Sequence, residues 1–98
     1  MHPILEQTKP IDIIIAYDIA DPRRLRRTAR QLEKVAIRIQ YSVFLWPSVS
    51  RQQIEHLVRM LRQWIDLEED DVRIYRIDPK RSLHLGDALD LNHPTLFG

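Results

Sequence analysis

At 98 residues, 44% hydrophobic and 30% charged, the chain has the composition of a soluble globular protein with one core and not of a disordered segment. The absence of cysteine excludes disulfides and thiolate-held metals, and no apolar run approaches the roughly 18 residues of a membrane span. The formal net charge of +1 conceals an uneven distribution: Arg23, Arg24, Arg26, Arg27, Arg30, Lys34 and Arg38 share their stretch with the single acid Glu33, whereas residues 66–71 are acidic everywhere but at Leu67. With no signal-peptide start, the expectation is a cytoplasmic protein, free of membrane, forming a single domain over residues 1–98 with its core in about 11–78 and a C-terminal strand and tail in 79–98.

Residues 1–10 hold two prolines and no clear period, and read as a loosely held lead-in. Ile11, Ile13, Ile15 and Tyr17, interleaved with Ile14 and Ala16, then predict a strand that is apolar on both faces and therefore central in its sheet. Such a strand delivers Asp18 to a sheet end. A small sheet carrying two helices covers only one of its faces with its own chain, so this strand argues for a homodimer.

Asp21 and Pro22 form a helix start, with Asp as N-cap and Pro at the first helical position. Leu25, Ala29, Leu32 and Ala36 mark its inward face, with Val35 at the edge, and the arginines take the rest of the cylinder. A charged helix face is usually no more than a solvated surface. The near absence of acids beside Arg23, Arg24, Arg26, Arg27 and Arg30 points instead to an anionic partner, and guanidinium forks suit phosphate oxygens.

Residues 38–46 alternate as a strand that Pro47 is expected to stop. Ile39, Tyr41, Val43 and Leu45 fall on one face and Arg38, Gln40, Ser42, Phe44 and Trp46 on the other. Ser50 and Gln53 predict a capping box, with Val49 and Ile54 as its apolar staple. Ile54, Leu57, Val58, Leu61, Trp64 and Ile65 form the inward stripe of a second helix, with Trp64 read as core and His56 as an exposed residue. The acidic residues Asp66, Glu68, Glu69, Asp70 and Asp71 read as a solvated connection, since consecutive side chains diverge. Residues 72–77 form another strand, and residues 82–85 a short edge strand.

The order of elements predicts an α+β fold, a ferredoxin-like βαββαβ sandwich with two helices on one face of an antiparallel sheet and a short C-terminal strand. Its second and third strands must both come from residues 37–49, a stretch in which spacing does not locate the turn. By itself an Asp after a strand more often serves a turn or a cap than a metal. At the tip of its strand Asp18 is nevertheless a candidate metal ligand, set beside a candidate phosphate-binding helix. One Asp per chain is a thin ligand set, but the two-fold axis of a homodimer could bring two copies of Asp18 together.

Ile14-Ile15-Ala16-Tyr17-Asp18-Ile19, the arginine-rich helix, Arg38-Ile39-Gln40-Tyr41-Ser42-Val43-Phe44, and Ile65-Asp66 with Asp71-Val72-Arg73-Ile74-Tyr75 together resemble the small CRISPR-associated adaptation protein family, over about residues 13–77. The resemblance implies a ferredoxin-like homodimer with its sheets facing each other, partnership with the CRISPR integrase subunit in spacer acquisition as part of antiviral defense, and duplex DNA lying across the dimer. It also implies a magnesium-dependent endonuclease (a hydrolase cutting single-stranded RNA or duplex DNA), with Asp18 as metal ligand and catalytic residue. Tyr17, Asp21, Gln40 and Ser42 are the candidates for positions behind that ligand, and Arg23, Arg24, Arg26, Arg27, Arg30 and Arg38 for nucleic-acid binding. The chain departs from the family pattern at Phe44-Leu45-Trp46-Pro47, where many relatives have Glu and a small residue after Val-Phe. In the family the last strand crosses onto the other protomer and the tail contacts the integrase, which would give those roles to residues 82–85 and 88–97. The alternatives are a non-catalytic DNA-binding adaptor, and a ferredoxin-like nuclease or RNA-binding toxin outside any CRISPR locus.

Overall fold

Ile13, Ile15 and Tyr17 of the first strand, β1 (Ile11–Asp18), are buried, whereas Asp12, Ile14 and Ala16 between them are only half-buried, so the two faces of this strand have different fates. The computed structural model of the chain describes residues 9–78 and 84–91. In chain order β1 is followed by α1 (Pro22–Leu32), β2 (Ile37–Gln40), β3 (Val43–Val49), α2 (Arg51–Trp64), β4 (Asp71–Asp78) and β5 (His84–Asp90). Among the described residues these strands form one sheet in the order β2-β3-β1-β4-β5, every neighbouring pair antiparallel. This is the expected ferredoxin-like sandwich, with β1 central and β5 as the added strand.

Register explains which residues meet the helices. Ile15 lies opposite Phe44 on one side and Ile74 on the other, Ile13 opposite Trp46, and Tyr17 opposite Val72. These positions share a face with Ala29 and Leu32 of α1 and with Ile54, Leu57, Val58 and Leu61 of α2, and together they make the core. Fully burying a side chain of this size contributes roughly 1.5–3 kcal/mol, so this face carries most of the stability. The opposite face presents Ile14 between Leu45 and Tyr75, Ala16 beside Val43, and Ile77, all half-buried, with Ile37 more exposed at its edge. No described helix covers it.

Both helices start as predicted. The Asp21 carboxylate accepts from the Arg24 amide at 2.9 Å with Pro22 in the first turn, and Ser50 and Gln53 complete a reciprocal capping box. Helix α1 ends at Leu32, before Ala36, because β2 begins at Ile37 and the chain must turn; Val35 lies in that turn and is exposed. Thr28 joins Ala29 and Leu32 on the buried face, a polar member that apolar spacing did not reveal.

Two expectations for residues 38–49 are corrected. The turn falls at Tyr41 and Ser42 and splits the single strand read across 38–46 into β2 and β3: Arg38, Phe44 and Trp46 share the helix side and Val43 and Leu45 the open side, as the alternation had them, but Gln40 pairs with Val43 across a register shift and so leaves the face of Phe44. Pro47 does not end the strand. β2 reaches only to the level of Leu45, so the missing Pro47 donor costs no ladder bond on that side, and the β1 register shifts between Ile11 and Ile13 to absorb the irregularity. Ser48 takes the left-handed region there, with φ 56°, and its amide donates to the Asp12 carboxylate at 2.9 Å. Replacing Ser48 by Gly removes the Cβ clash without touching that bond, and is expected to stabilise the fold by about 0.5–1 kcal/mol. Urea midpoints of the two proteins check this.

The last strand is longer than expected. It runs from His84 to Asp90 and pairs with β4 of its own chain, where residues 82–85 alone were expected as an edge. Thus 88–90 belong to a strand and not to a tail, since β4 offers a free antiparallel edge as far as Arg73. Leu91 follows it into the core, its amide donating to the Val72 carbonyl at 3.2 Å. Residues 1–8 of the lead-in, Ser82 and Leu83 of the expected edge strand, and the tail residues 92–97 lie outside the described residues. No described helix is long and apolar enough to cross a membrane.

Candidate metal and nucleic-acid site

β1 ends at Asp18, whose side chain is exposed at the tip of the central strand. On one side its register partner is Asp71 at the start of β4. On the other lies the β2–β3 turn, because the Ser42 carbonyl accepts from the Tyr17 amide at 3.1 Å. Two carboxylates directly opposite each other on a sheet repel. Arg73 Nε donates to Asp71 Oδ2 at 3.2 Å and offsets part of that charge. Among the described residues no three His, Asp or Glu side chains gather as a ready metal cage. The Asp18 and Asp71 oxygens nevertheless suit a hard divalent cation that keeps most of its waters.

The turn after Asp18 is held by an acid 50 positions beyond Ala20 in the chain. The Asp70 carboxylate accepts from the Ala20 amide at 3.0 Å, from the Asp66 amide at 2.8 Å, and from Arg24 Nε and Nη2 at 2.9 and 3.2 Å. Its side chain is fully buried, and Arg24 also reaches Glu69 at 3.2 Å. Burial by itself would raise the pKa of Asp70, but the Arg24 guanidinium and the Asp66 and Ala20 amides outweigh it and hold the carboxyl below its ordinary value. Hydrogen bonding to Asp70 in turn raises the pKa of Arg24. The acidic stretch is therefore not merely a solvated connection: Asp66 caps its own turn, accepting from the Glu68 amide at 2.8 Å, and Asp70 clamps the β1–α1 turn. Sequence reasoning missed this because a buried acid inside an acidic run looks like its neighbours; the arginine that answers it lies 46 positions away.

The arginines sort into different roles. Arg23, Arg26 and Arg30 are exposed, follow one another at helical spacing, and have no ion pair among the described residues. Their backbone positions span about 10 Å of helix. Arg27 donates to the Trp64 carbonyl at 3.2 Å, which ties α1 to the end of α2. Arg24 is committed to Asp70, and Arg38 pairs with Glu33 at 3.0 Å. Asp21 is the N-cap, its carboxyl lowered first by the Arg24 amide. Tyr17 points to the helix side, opposite to Asp18, where its ring stacks on Phe44 at 6.1 Å between centroids. Burial raises its phenol pKa, partly offset by Arg38. Gln40 is exposed at the end of β2, and Ser42 meets β1 through its backbone.

Comparison with known proteins agrees with this architecture. The family model described as CRISPR associated protein Cas2 matches residues 12–83. The chain is 47% identical over 85 residues to CRISPR-associated endoribonuclease Cas2 1 of Nitrosomonas europaea, covering 87% of this chain and 75% of that protein. It is 32% identical to CRISPR-associated endonuclease Cas2 of Halalkalibacterium halodurans, covering 87% and 98%. Among solved structures it is similar to Streptococcus pyogenes Cas2, with a TM-score of 0.65, 28% identity and coverage of 78% and 100%. It is also similar to the hypothetical protein TT1823 from Thermus thermophilus, with a TM-score of 0.66, 33% identity and coverage of 70% and 83%. A ferredoxin-like sheet with an acid at the tip of its central strand, an arginine helix beside it and a family match over residues 12–83 place the chain in the Cas2 family of CRISPR-associated proteins.

Proposed function

We propose that the chain is a magnesium-dependent endonuclease of the CRISPR adaptation system, acting as a homodimer on single-stranded RNA or duplex DNA. The observation that carries this reading is the exposed Asp18 carboxylate at a sheet end, set beside Asp71 and next to a helix whose Arg23, Arg26 and Arg30 have no acidic partner among the described residues. Relatives named endoribonuclease and endonuclease support it. When bound, a divalent ion supplies positive charge beside the phosphate and makes a water more acidic. Asp18 and Asp71 would hold it, the arginines would fix the phosphate backbone, and Asp70 keeps the turn behind Asp18 in place. The half-buried open face over Ile14, Leu45 and Tyr75 supports the homodimer, since a second copy would bury it. Partnership with the integrase subunit rests on the family likeness.

The second reading, a non-catalytic DNA-binding adaptor, is favoured by the thinness of the acid set at Asp18. In both readings Arg23, Arg26 and Arg30 bind phosphates. Replacing all three by Ala should weaken duplex binding and flatten the dependence of log affinity on log salt by about one for each lost contact. Titrations at several salt concentrations check this; an unchanged slope would place the nucleic acid elsewhere.

A further inference from the structure

The turn beside Asp18 carries an aromatic ring that stays outside the core. Tyr41 is 74% exposed, more than any other large hydrophobic side chain among the described residues. A tight turn gains nothing from such a side chain; Gly, Asn, Asp and Ser serve turns better. Yet the ring is not loose. The Arg38 guanidinium stands 5.9 Å from its centroid and 5.2 Å from that of Phe44, and Phe44 in turn stacks on Tyr17 at 6.1 Å. Glu33 pairs with Arg38 and fixes it from the side. A column of flat groups, rooted in the core at Tyr17, thus ends in a solvent-facing ring.

The ring's position is as informative as its exposure. Val43 lies opposite Ala16 and the Ser42 carbonyl binds the Tyr17 amide, so the turn holding Tyr41 and the end of β1 holding Asp18 close the same end of the sheet on neighbouring strands. Neighbouring strands are about 4.8 Å apart and β3 lies between β2 and β1, so the backbone at Tyr41 and at Asp18 is one to two strand spacings apart, a span that one or two nucleotides cover. Arg38 leans to the helix side and Asp18 to the open side, so a strand crossing this sheet end would meet the ring and the carboxylate in succession. An ordered, exposed ring beside cationic groups is how proteins hold unpaired bases, whereas the bases of a duplex are stacked on one another and offer no face.

We propose that Tyr41, backed by Arg38, is a stacking site for an unpaired nucleobase, which gives the chain a grip on single-stranded nucleic acid that a duplex cannot use. This rests on the nucleic-acid reading of the Asp18 end, and the test separates the two. Binding of a short oligouridylate and of a short DNA duplex is measured in EDTA, so that nothing is cleaved, for the parent, Tyr41→Ala and Tyr41→Phe. The expected result is a loss of about tenfold or more for the oligouridylate in Tyr41→Ala, near-parent binding in Tyr41→Phe, and duplex binding within about twofold throughout. In Tyr41→Trp, the indole emission that exceeds the parent's should be quenched by the oligouridylate. Equal single-strand affinity in the parent and Tyr41→Ala would overturn the stacking site while leaving the nuclease reading standing. Equal losses on both probes would also overturn it, because the ring would then act only through Arg38 or the fold. A parent that binds neither probe would overturn the nucleic-acid reading and this site with it.

Discussion

Asp18→Ala should lower cleavage of single-stranded RNA or duplex DNA by about a hundredfold or more, the scale on which one electrostatic group in a reaction centre is felt, while the circular dichroism spectrum and duplex binding stay at parent values. The side chain is exposed, and no hydrogen bond or ion pair of the fold among the described residues depends on it, so its removal leaves no buried group without a partner. Arg23, Arg26 and Arg30 remain in place to hold phosphates. A variant that cuts as fast as the parent would exclude Asp18 from the reaction and leave the adaptor reading as the better account.

A second large effect is expected at a residue that touches no substrate. Asp70→Ala removes the acceptor for the Ala20 and Asp66 amides and for Arg24 at once. Breaking a buried charge pair from one side typically costs 3–5 kcal/mol, so a loss of about 3 kcal/mol is expected, with a fall in melting midpoint of roughly 15 °C at fixed protein concentration. A loss below about 1 kcal/mol would mean that water replaces the carboxylate. The same group sets an acid limit. Its folded pKa lies below the ordinary carboxylate value near 3.9, so its contribution is complete above that pH and is lost as pH falls through the folded pKa. Thermal midpoints of the parent should therefore drop more steeply below about pH 4 than those of Asp70→Asn, which has no charge to lose.

Much of the fold was legible because local rules and the core agree. The alternating isoleucines mark a strand with two apolar faces, Asp21-Pro22 marks a helix start, and Ser50 with Gln53 marks another, and each signal is short-range. What escaped depends on pairing between distant segments. The turn at Tyr41 and Ser42 carries no Gly or Pro, and the strand beyond Pro47 survives only because β2 is too short to oppose it. The same contrast divides the candidate site. Asp18 and the arginine helix are adjacent in sequence and were readable together, whereas the separation of Arg24, held by Asp70, from the exposed Arg23, Arg26 and Arg30 appears only when residues 20–24 meet residues 66–70 in space.

Magnesium is silent in most spectroscopies, but manganese replaces it at oxygen sites and its free form is counted directly by electron paramagnetic resonance. Titrating manganese into the parent and into Asp18→Asn at equal protein concentration asks whether the strand-end acid holds a divalent ion. The account predicts saturable binding by the parent, at one ion per chain or one shared between two chains, and its loss in the variant. Equal manganese binding by the two proteins, or none by the parent, would contradict it.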